Sequence, residues 1–212
     1  MKGYVINLKK RPDRLERFQN EIGKQLTDIN IEVIEAVDGS TLDLTDPNLI
    51  NDVSTLIRHF PDKILKGIIG CCLSHLKCYD IISKRDDKYA IIFEDDCWFR
   101  SEEHKKKANE LIKQLDIPEK FGIIFLNKWD YGAVKIIKNI DKDLNTITGA
   151  PTTEAFIINK DYAKILYDEN IHDIGAIDAH MGRYISKYPD YPTYNLVDEL
   201  FIQRDRRDSD IR

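Results

Sequence analysis

The chain has 212 residues, 42% apolar and 33% charged, with a formal net charge of −5 and a pI near 5.6. That length fits one domain with a substantial core, and the acidic balance excludes a surface built to neutralise a phosphate backbone, so nucleic acid is not an expected partner. No apolar run nears the roughly 18 residues that cross a bilayer, and Met1 to Leu8 is too short for a signal peptide, so the chain as given reads as cytoplasmic or as a domain of a larger protein.

Apolar periodicity alternates strands with helices. Gly3 to Leu8 reads as a buried strand, and the basic turn Lys9 to Arg14 follows. Pro12 suits a first helical turn, and Leu15, Phe18, Ile22 and Leu26 recur at helical spacing. Ile31 to Val37 reads as a second strand that Asp38-Gly39 ends in a turn. Residues 41 to 66 are irregular, and Gly67-Ile68-Ile69-Gly70 leads into a helix from Cys71 to about Lys84. Tyr89 to Phe93 is a continuous apolar run, as a strand covered on both faces requires. A helix from about Ser101 to Leu115 comes next, then a strand from Phe121 to Leu126. A small hairpin pairs Ala133 to Ile137 with Leu144 to Thr148. Glu154 to Asn159 is a strand, Lys160 to Tyr167 and Ile177 to Lys187 are helices, and Thr193 to Val197 and Leu200 to Gln203 are short closing strands. The tail from Arg204 to Arg212 is nearly all charged.

This alternation implies an α/β fold, a mostly parallel twisted sheet with helices on both faces. Ligands of such sheets bind beyond the carboxyl ends of the strands. The rule singles out Asn7 to Arg14, Asp38-Gly39 and Glu94 to Cys97. Three adjacent carboxylates, Glu94-Asp95-Asp96, repel one another unless a hard divalent cation offsets them, and manganese or magnesium would. In an extended segment Glu94 and Asp96 point the same way while Asp95 faces elsewhere. The bland alternative is a solvated acidic loop. Arg11 and Arg14 offer forks for phosphate, or else a solvated helix start paired with Asp13 and Glu16. Neither GxGxxG nor a Walker sequence occurs, which argues against a dehydrogenase or a P-loop enzyme.

Of the four cysteines, Cys71, Cys72, Cys78 and Cys97, none forms a CxxC pair. Cys71, His75 and Cys78 share helical spacing, but a zinc site would need a fourth ligand, and buried thiols with a polar histidine are the better reading. Ser74 and His75 point in different directions on a helix, which removes a hydrolase triad. Asp178 and His180 stand near the start of a late helix, where a carboxylate acts as a base or as a cap.

Taken together, these segments resemble glycosyltransferase family 25. The matching stretches are Tyr4 to Leu8 with Arg11-Pro12-Asp13-Arg14, Ala36-Val37-Asp38-Gly39, Gly70-Cys71 with Leu73-Ser74-His75, and Ile91 to Asp96. Glu154 to Ile158 with Ala163, Asp178, and Gln203 with Ser209-Asp210-Ile211 echo later parts of that family. The resemblance implies a GT-A-like fold over residues 1–212, with a nucleotide-binding half to about 126 and an acceptor-side half from about 127. It implies a UDP-sugar donor, a galactosyl group moved with inversion, and a hydroxyl acceptor on a glycan or a hydroxylysine-type protein. The expected roles are metal ligation by Glu94 and Asp96, donor contacts from Asn7, Arg11, Arg14, Asp38, Gly39 and Asp95, and a general base at Asp178. His75, His180, Gln203 and Asp210 are further candidates.

One departure stands out, because Ile68 replaces the glutamate usual two residues before Gly70-Cys71. It keeps open a degenerate transferase serving as a carbohydrate-binding scaffold. A metal-dependent nucleotidyltransferase is the other alternative. That enzyme would want a carboxylate on a neighbouring strand, whereas Phe121 to Leu126 ends in Asn127.

Overall fold

The computed structural model describes residues 1–127, 135–140, 142–150 and 152–203. The elements in chain order are β1 (Lys2–Asn7), α1 (Pro12–Phe18), a π-helical turn (Gln19–Gly23), β2 (Asn30–Glu35), a 3-10 turn (Gly39–Thr41), α2 (Pro47–Ile50), α3 (Asp62–Ser83), β3 (Tyr89–Glu94), β4 (Cys97–Phe99) and α4 (Glu102–Gln114). They continue with β5 (Ile123–Phe125), β6 (Lys135–Asn139), β7 (Leu144–Thr148), β8 (Ala155–Asn159), α5 (Lys160–Asn170), α6 (Ile177–Lys187), β9 (Tyr194–Leu196) and β10 (Phe201–Gln203).

Eight strands form one sheet in the order β2-β1-β3-β8-β5-β9-β7-β6. β1 lies parallel to both β2 and β3, and β5 parallel to β9. β8 runs against both β3 and β5, and β7 against both β9 and β6. The sheet is mixed, with most strands pointing one way, as the alternation of elements requires. Because β8 is reversed, its first residue meets the carboxyl end of β3, and the Glu94 amide donates to the Glu154 carbonyl at 2.9 Å.

Period-two alternation sends each central strand's side chains to opposite faces. Tyr4, Ile6, Ile92, Phe156 and Ile158 pack on the face covered by α3, α5 and α6. Val5, Ile91, Phe93, Ala155 and Ile157 pack on the other face, with Phe18 of α1 and Ala108 and Ile112 of α4. Both faces are therefore dry, and the polar ends of the strands are what remains for chemistry.

Four expectations change. α3 begins at Asp62, directly after Pro61, rather than at Cys71, so Gly67 and Gly70 lie inside it. Proline fixes an extended residue ahead of a helix start, and the intervening glycines did not break the helix. Strand β3 ends at Glu94, and Asp95 and Asp96 form a turn into β4, so the three carboxylates do not alternate along an extended segment. The closing strand β10 pairs with β4 in a separate two-stranded sheet, with Gln203 opposite Cys97. Finally, α5 runs on to Asn170. Ala133 of the expected hairpin, and Asp210 with the rest of the tail, lie outside the described residues. No helix among the described residues is long and apolar enough to cross a membrane.

The helical glycines have a specific reason. A Cβ on Gly39 would stand 2.1 Å from the Lys66 carbonyl oxygen, and one on Gly70 would stand 2.8 Å from the Gly39 nitrogen. The loop after β2 thus lies backbone to backbone on α3. Ser74 Oγ completes the join, accepting from the Val37 amide at 2.9 Å and donating to the Gly70 carbonyl at 2.6 Å. Gly39→Ala is expected to destabilise by at least the ~1–3 kcal/mol of an overpacked core site. Urea unfolding of this variant beside Gly23→Ala, where an added Cβ meets only the Gln19 Cβ at 4.0 Å, checks it.

Candidate active site

Beyond the carboxyl ends of β1, β2 and β3 a cleft of about 490 Å³ opens, lined among others by Lys10, Arg14, Asp38, Gly39, Lys63, Lys66, Cys71, His75, Glu94, Asp95, Asp96 and Gln203. The topology makes this so. Strands β1 and β3 deliver their last residues side by side, β2 delivers the Asp38 loop, and α3 forms the wall opposite the acidic turn.

The three carboxylates are held differently. Asp95 is buried, accepting from Asn7 Nδ2 at 2.6 Å and from Arg14 Nη1 at 2.9 Å. Burial nonetheless raises its pKa, more than offsetting Arg14 and Asn7. Glu94 accepts from His75 Nε2 at 3.1 Å and from Thr153 Oγ1 at 2.5 Å. Burial opposes its ionisation, but His75, Thr153 and Arg14 outweigh that and hold the carboxyl below the usual range. Asp96 takes the cost. It is 7% exposed, and burial followed by the Glu94 charge pushes it up to about 7 against a single hydrogen bond from Gln203 Nε2 at 3.0 Å. Its other oxygen, Oδ1, is buried without a hydrogen-bond partner among the described residues.

A fourth carboxylate lies behind them. Glu154 is 2% exposed, accepts from Asn127 Nδ2 and from Thr152 Oγ1, and is pushed up to about 8 by burial, with Glu94 and Asp96 adding to it. A cluster this acidic and this dry fits a hard divalent cation. Asp96 lines the cleft, and its Oδ1, which has no partner among the described residues, is the atom that such an ion would satisfy.

Of the other candidates, Asp38 and Gly39 line the cleft. Asp38 caps the 3-10 turn through the Ser40 amide at 3.0 Å and takes Lys10 Nζ at 2.8 Å, contacts that hold its carboxyl below the usual value. Asn7 is buried beneath the cleft and orients Asp95 while donating to the Arg11 carbonyl at 3.1 Å. Arg11 turns to Asp13, 3.0 Å away, and is not among the lining residues. Arg14 lines the cleft but is 5% exposed, its Nη1 held on Asp95, so it is not the solvated helix start of the alternative reading. Asp178 stands exposed at the start of α6, outside the lining, yet its charge adds to the upward push on the Cys71 thiol. His180 is not at the cleft. It is 2% exposed, its Nε2 lies 2.4 Å from where a Cβ on Gly175 would stand, and burial pushes it down to about 4.

Four contributors were not anticipated. Lys63 and Lys66, on the first turns of α3, reach the cleft and form no ion pair among the described residues. They had read as loop residues because α3 was expected to begin later. Thr153 and Glu154 arrive through the reversed strand β8, and no local pattern announces which strands will be neighbours. Arg14 did carry a signal: it stands four residues before Phe18 and eight before Ile22, on the stripe that α1 and its π-helical extension bury.

Similarity to known proteins agrees with this geometry. Human procollagen galactosyltransferase 2 is 30% identical over 118 residues, which is 53% of this chain and 18% of that protein. A bovine protein named probable inactive glycosyltransferase 25 family member 3 is 28% identical over 131 residues, 59% of this chain and 21% of its own length. The chain thus spans about a fifth of the length of these curated relatives. A mannosyltransferase from Pyrobaculum calidifontis, solved with GDP-Man and Mn2+, superposes with a TM-score of 0.51 at 12% identity, covering 98% of this chain and 58% of that one, which shows the GT-A glycosyltransferase fold. The model of the family described as glycosyltransferase family 25 (LPS biosynthesis protein) matches residues 1–181, and the chain belongs to that family.

Proposed function

We propose that this protein is a metal-dependent galactosyltransferase that moves the sugar of a UDP-sugar, with inversion, to a hydroxyl of a glycan or of a hydroxylysine-type protein acceptor. One observation carries the reading: a buried carboxylate cluster at the carboxyl end of β3, in which Asp96 Oδ1 has no partner among the described residues, adjoins a cleft that Lys63 and Lys66 also line. Glu94 and Asp96 would hold manganese or magnesium, which when bound neutralises the departing nucleoside diphosphate. The fold neighbour solved with GDP-Man and Mn2+ and the galactosyltransferase relative support donor class and metal.

The chain's own residues divide the remaining work. Arg14 and Asn7 fix Asp95, and Gln203 orients Asp96. His75, stacked over Phe156 at 6.0 Å and 16°, and Thr153 keep Glu94 ionised. Asp38 and the glycine-tight loop form the nucleoside side, and Lys63 and Lys66 add positive potential where donor phosphates approach. Ile68 packs against the core under α3 and does not line the cleft, so its replacement of the family's glutamate leaves the acidic cluster complete. That favours a working transferase over a scaffold.

Asp178, exposed at the start of α6, is the proposed base for the acceptor hydroxyl. Release of UDP from UDP-galactose with manganese, without and with a galactosyl acceptor, tests the function directly; absence of both hydrolysis and transfer across a panel of nucleotide sugars would favour the scaffold. Asp178→Asn keeps the N-terminal helix contact but cannot take a proton. Its transfer rate should fall about 10²-fold or more with donor affinity and melting temperature unchanged. A near-normal rate would remove Asp178 from the mechanism.

A further inference from the structure

A second cluster adjoins the acidic turn. Cys71, His75 and Glu94 each offer a ligand atom, and these atoms lie within 4.8 Å of one another. Cys71 and His75 are four residues apart on α3, hence on one face of the helix, and all three side chains line the cleft. The helical spacing that had also included Cys78 is only half fulfilled. Cys78 turns into the core, and Glu94, from the end of β3, takes its place.

We infer that Cys71, His75 and Glu94 form a site for a soft divalent cation, zinc above all, distinct from the hard-cation pair Glu94 and Asp96 but sharing one carboxylate with it. Thiolate and imidazole select zinc over manganese or magnesium. Tetrahedral zinc at its usual bond lengths spaces such ligands roughly 3.4–3.6 Å apart. Small side-chain rotations from the observed spacing achieve that, and water takes the fourth position from the cleft. The imidazole is not committed to its present tautomer, because His75 Nδ1 is buried with no partner among the described residues. On binding, the Cys71 S–H bond breaks and its proton passes to solvent. The Nε2–H···Oε1 hydrogen bond to Glu94 is replaced by nitrogen–zinc and oxygen–zinc bonds, with the imidazole proton moving to Nδ1.

Glu94 cannot serve both ions, so zinc would be an inhibitor that withdraws a ligand from the metal pair of the proposed transferase. That consequence rests on the proposed function, whereas binding of zinc does not. The decisive measurement therefore uses the metal alone. Zinc is titrated calorimetrically into the intact protein and into Cys71→Ser and Cys72→Ser, and cobalt absorption reports thiolate ligation. Cys72 faces the core and serves as the control. Wild type and Cys72→Ser are expected to bind one zinc per chain with a thiolate-to-cobalt charge-transfer band. Cys71→Ser should lose the band and bind at least about 100-fold more weakly, since even supporting residues around a metal cost 10–100-fold. Unchanged zinc affinity in Cys71→Ser, or no binding to the folded wild type, overturns the site. His75→Gln, checked for folding by its melting curve, must weaken zinc as well. In donor turnover, zinc should inhibit the manganese-supported reaction and Cys71→Ser should resist it; if no turnover exists to inhibit, the calorimetric and cobalt arms still decide the site.

Discussion

Asp96→Asn is expected to lower manganese-supported turnover by about 10³-fold, because losing one charged ligand removes several kcal/mol of charge stabilisation, at 1.36 kcal/mol per decade. The same substitution should stabilise the metal-free protein at neutral and higher pH. The Asp96 pKa is raised from 3.8 to about 7 in the folded chain. A group raised on folding contributes stability below its unfolded value, and that contribution is lost as pH climbs through the folded one. Metal-free wild type should therefore lose stability between about pH 4 and 7, and Glu154, raised to about 8, extends the loss slightly further. Asn carries no charge, so the gain in melting temperature over wild type should be larger at pH 8 than at pH 5. Manganese should close that gap by occupying the wild-type cluster. Melting curves at the two pH values, with and without manganese, check the sign. A variant less stable than wild type at pH 8 would mean that Asp96 supports the fold.

Arg14→Met should produce the largest loss of stability. Arg14 and Asp95 are 5% and 6% exposed and bond at 2.9 Å. Removing one partner of a buried pair leaves an uncompensated charge and costs about 3–5 kcal/mol. For a chain of this size, at about 2–4 °C per kcal/mol, that is on the order of 10 °C in melting temperature. Adding Asp95→Asn to Arg14→Met should recover part of the loss, since the stranded charge is then gone. Additive losses in the double variant would show that Arg14 acts through packing alone. By contrast, Arg11→Ala should cost much less stability than Arg14→Met, because its ion pair with Asp13 lies at an exposed residue of the same turn.

These two arginines show what the sequence could and could not tell. The basic turn after the first strand was evident, and so were the strands that end at Asn7, Glu35 and Glu94, because continuous or alternating apolar runs have few other solutions. The acidic turn, the Asp38-Gly39 loop and Gly70-Cys71 were legible as pieces. Their reason is tertiary: Gly39 and Gly70 are small because two backbones touch, a fact that no local propensity encodes. α3 was placed too short because its glycines read as breakers when they were points of contact. Glu154 and Thr153 were missed because a reversed strand, β8, is inserted between β3 and β5, and strand order depends on long-range pairing rather than on any window of residues.

Donor binding by the proposed transferase is expected to depend on a divalent cation at Glu94 and Asp96. Calorimetric titration of UDP-galactose into the wild-type protein, once with manganese and once with a chelator, tests it most directly. Saturable binding with manganese, weakened at least about tenfold by the chelator, a difference of ~1.4 kcal/mol, is the predicted result. Equal affinity in the two titrations would contradict it.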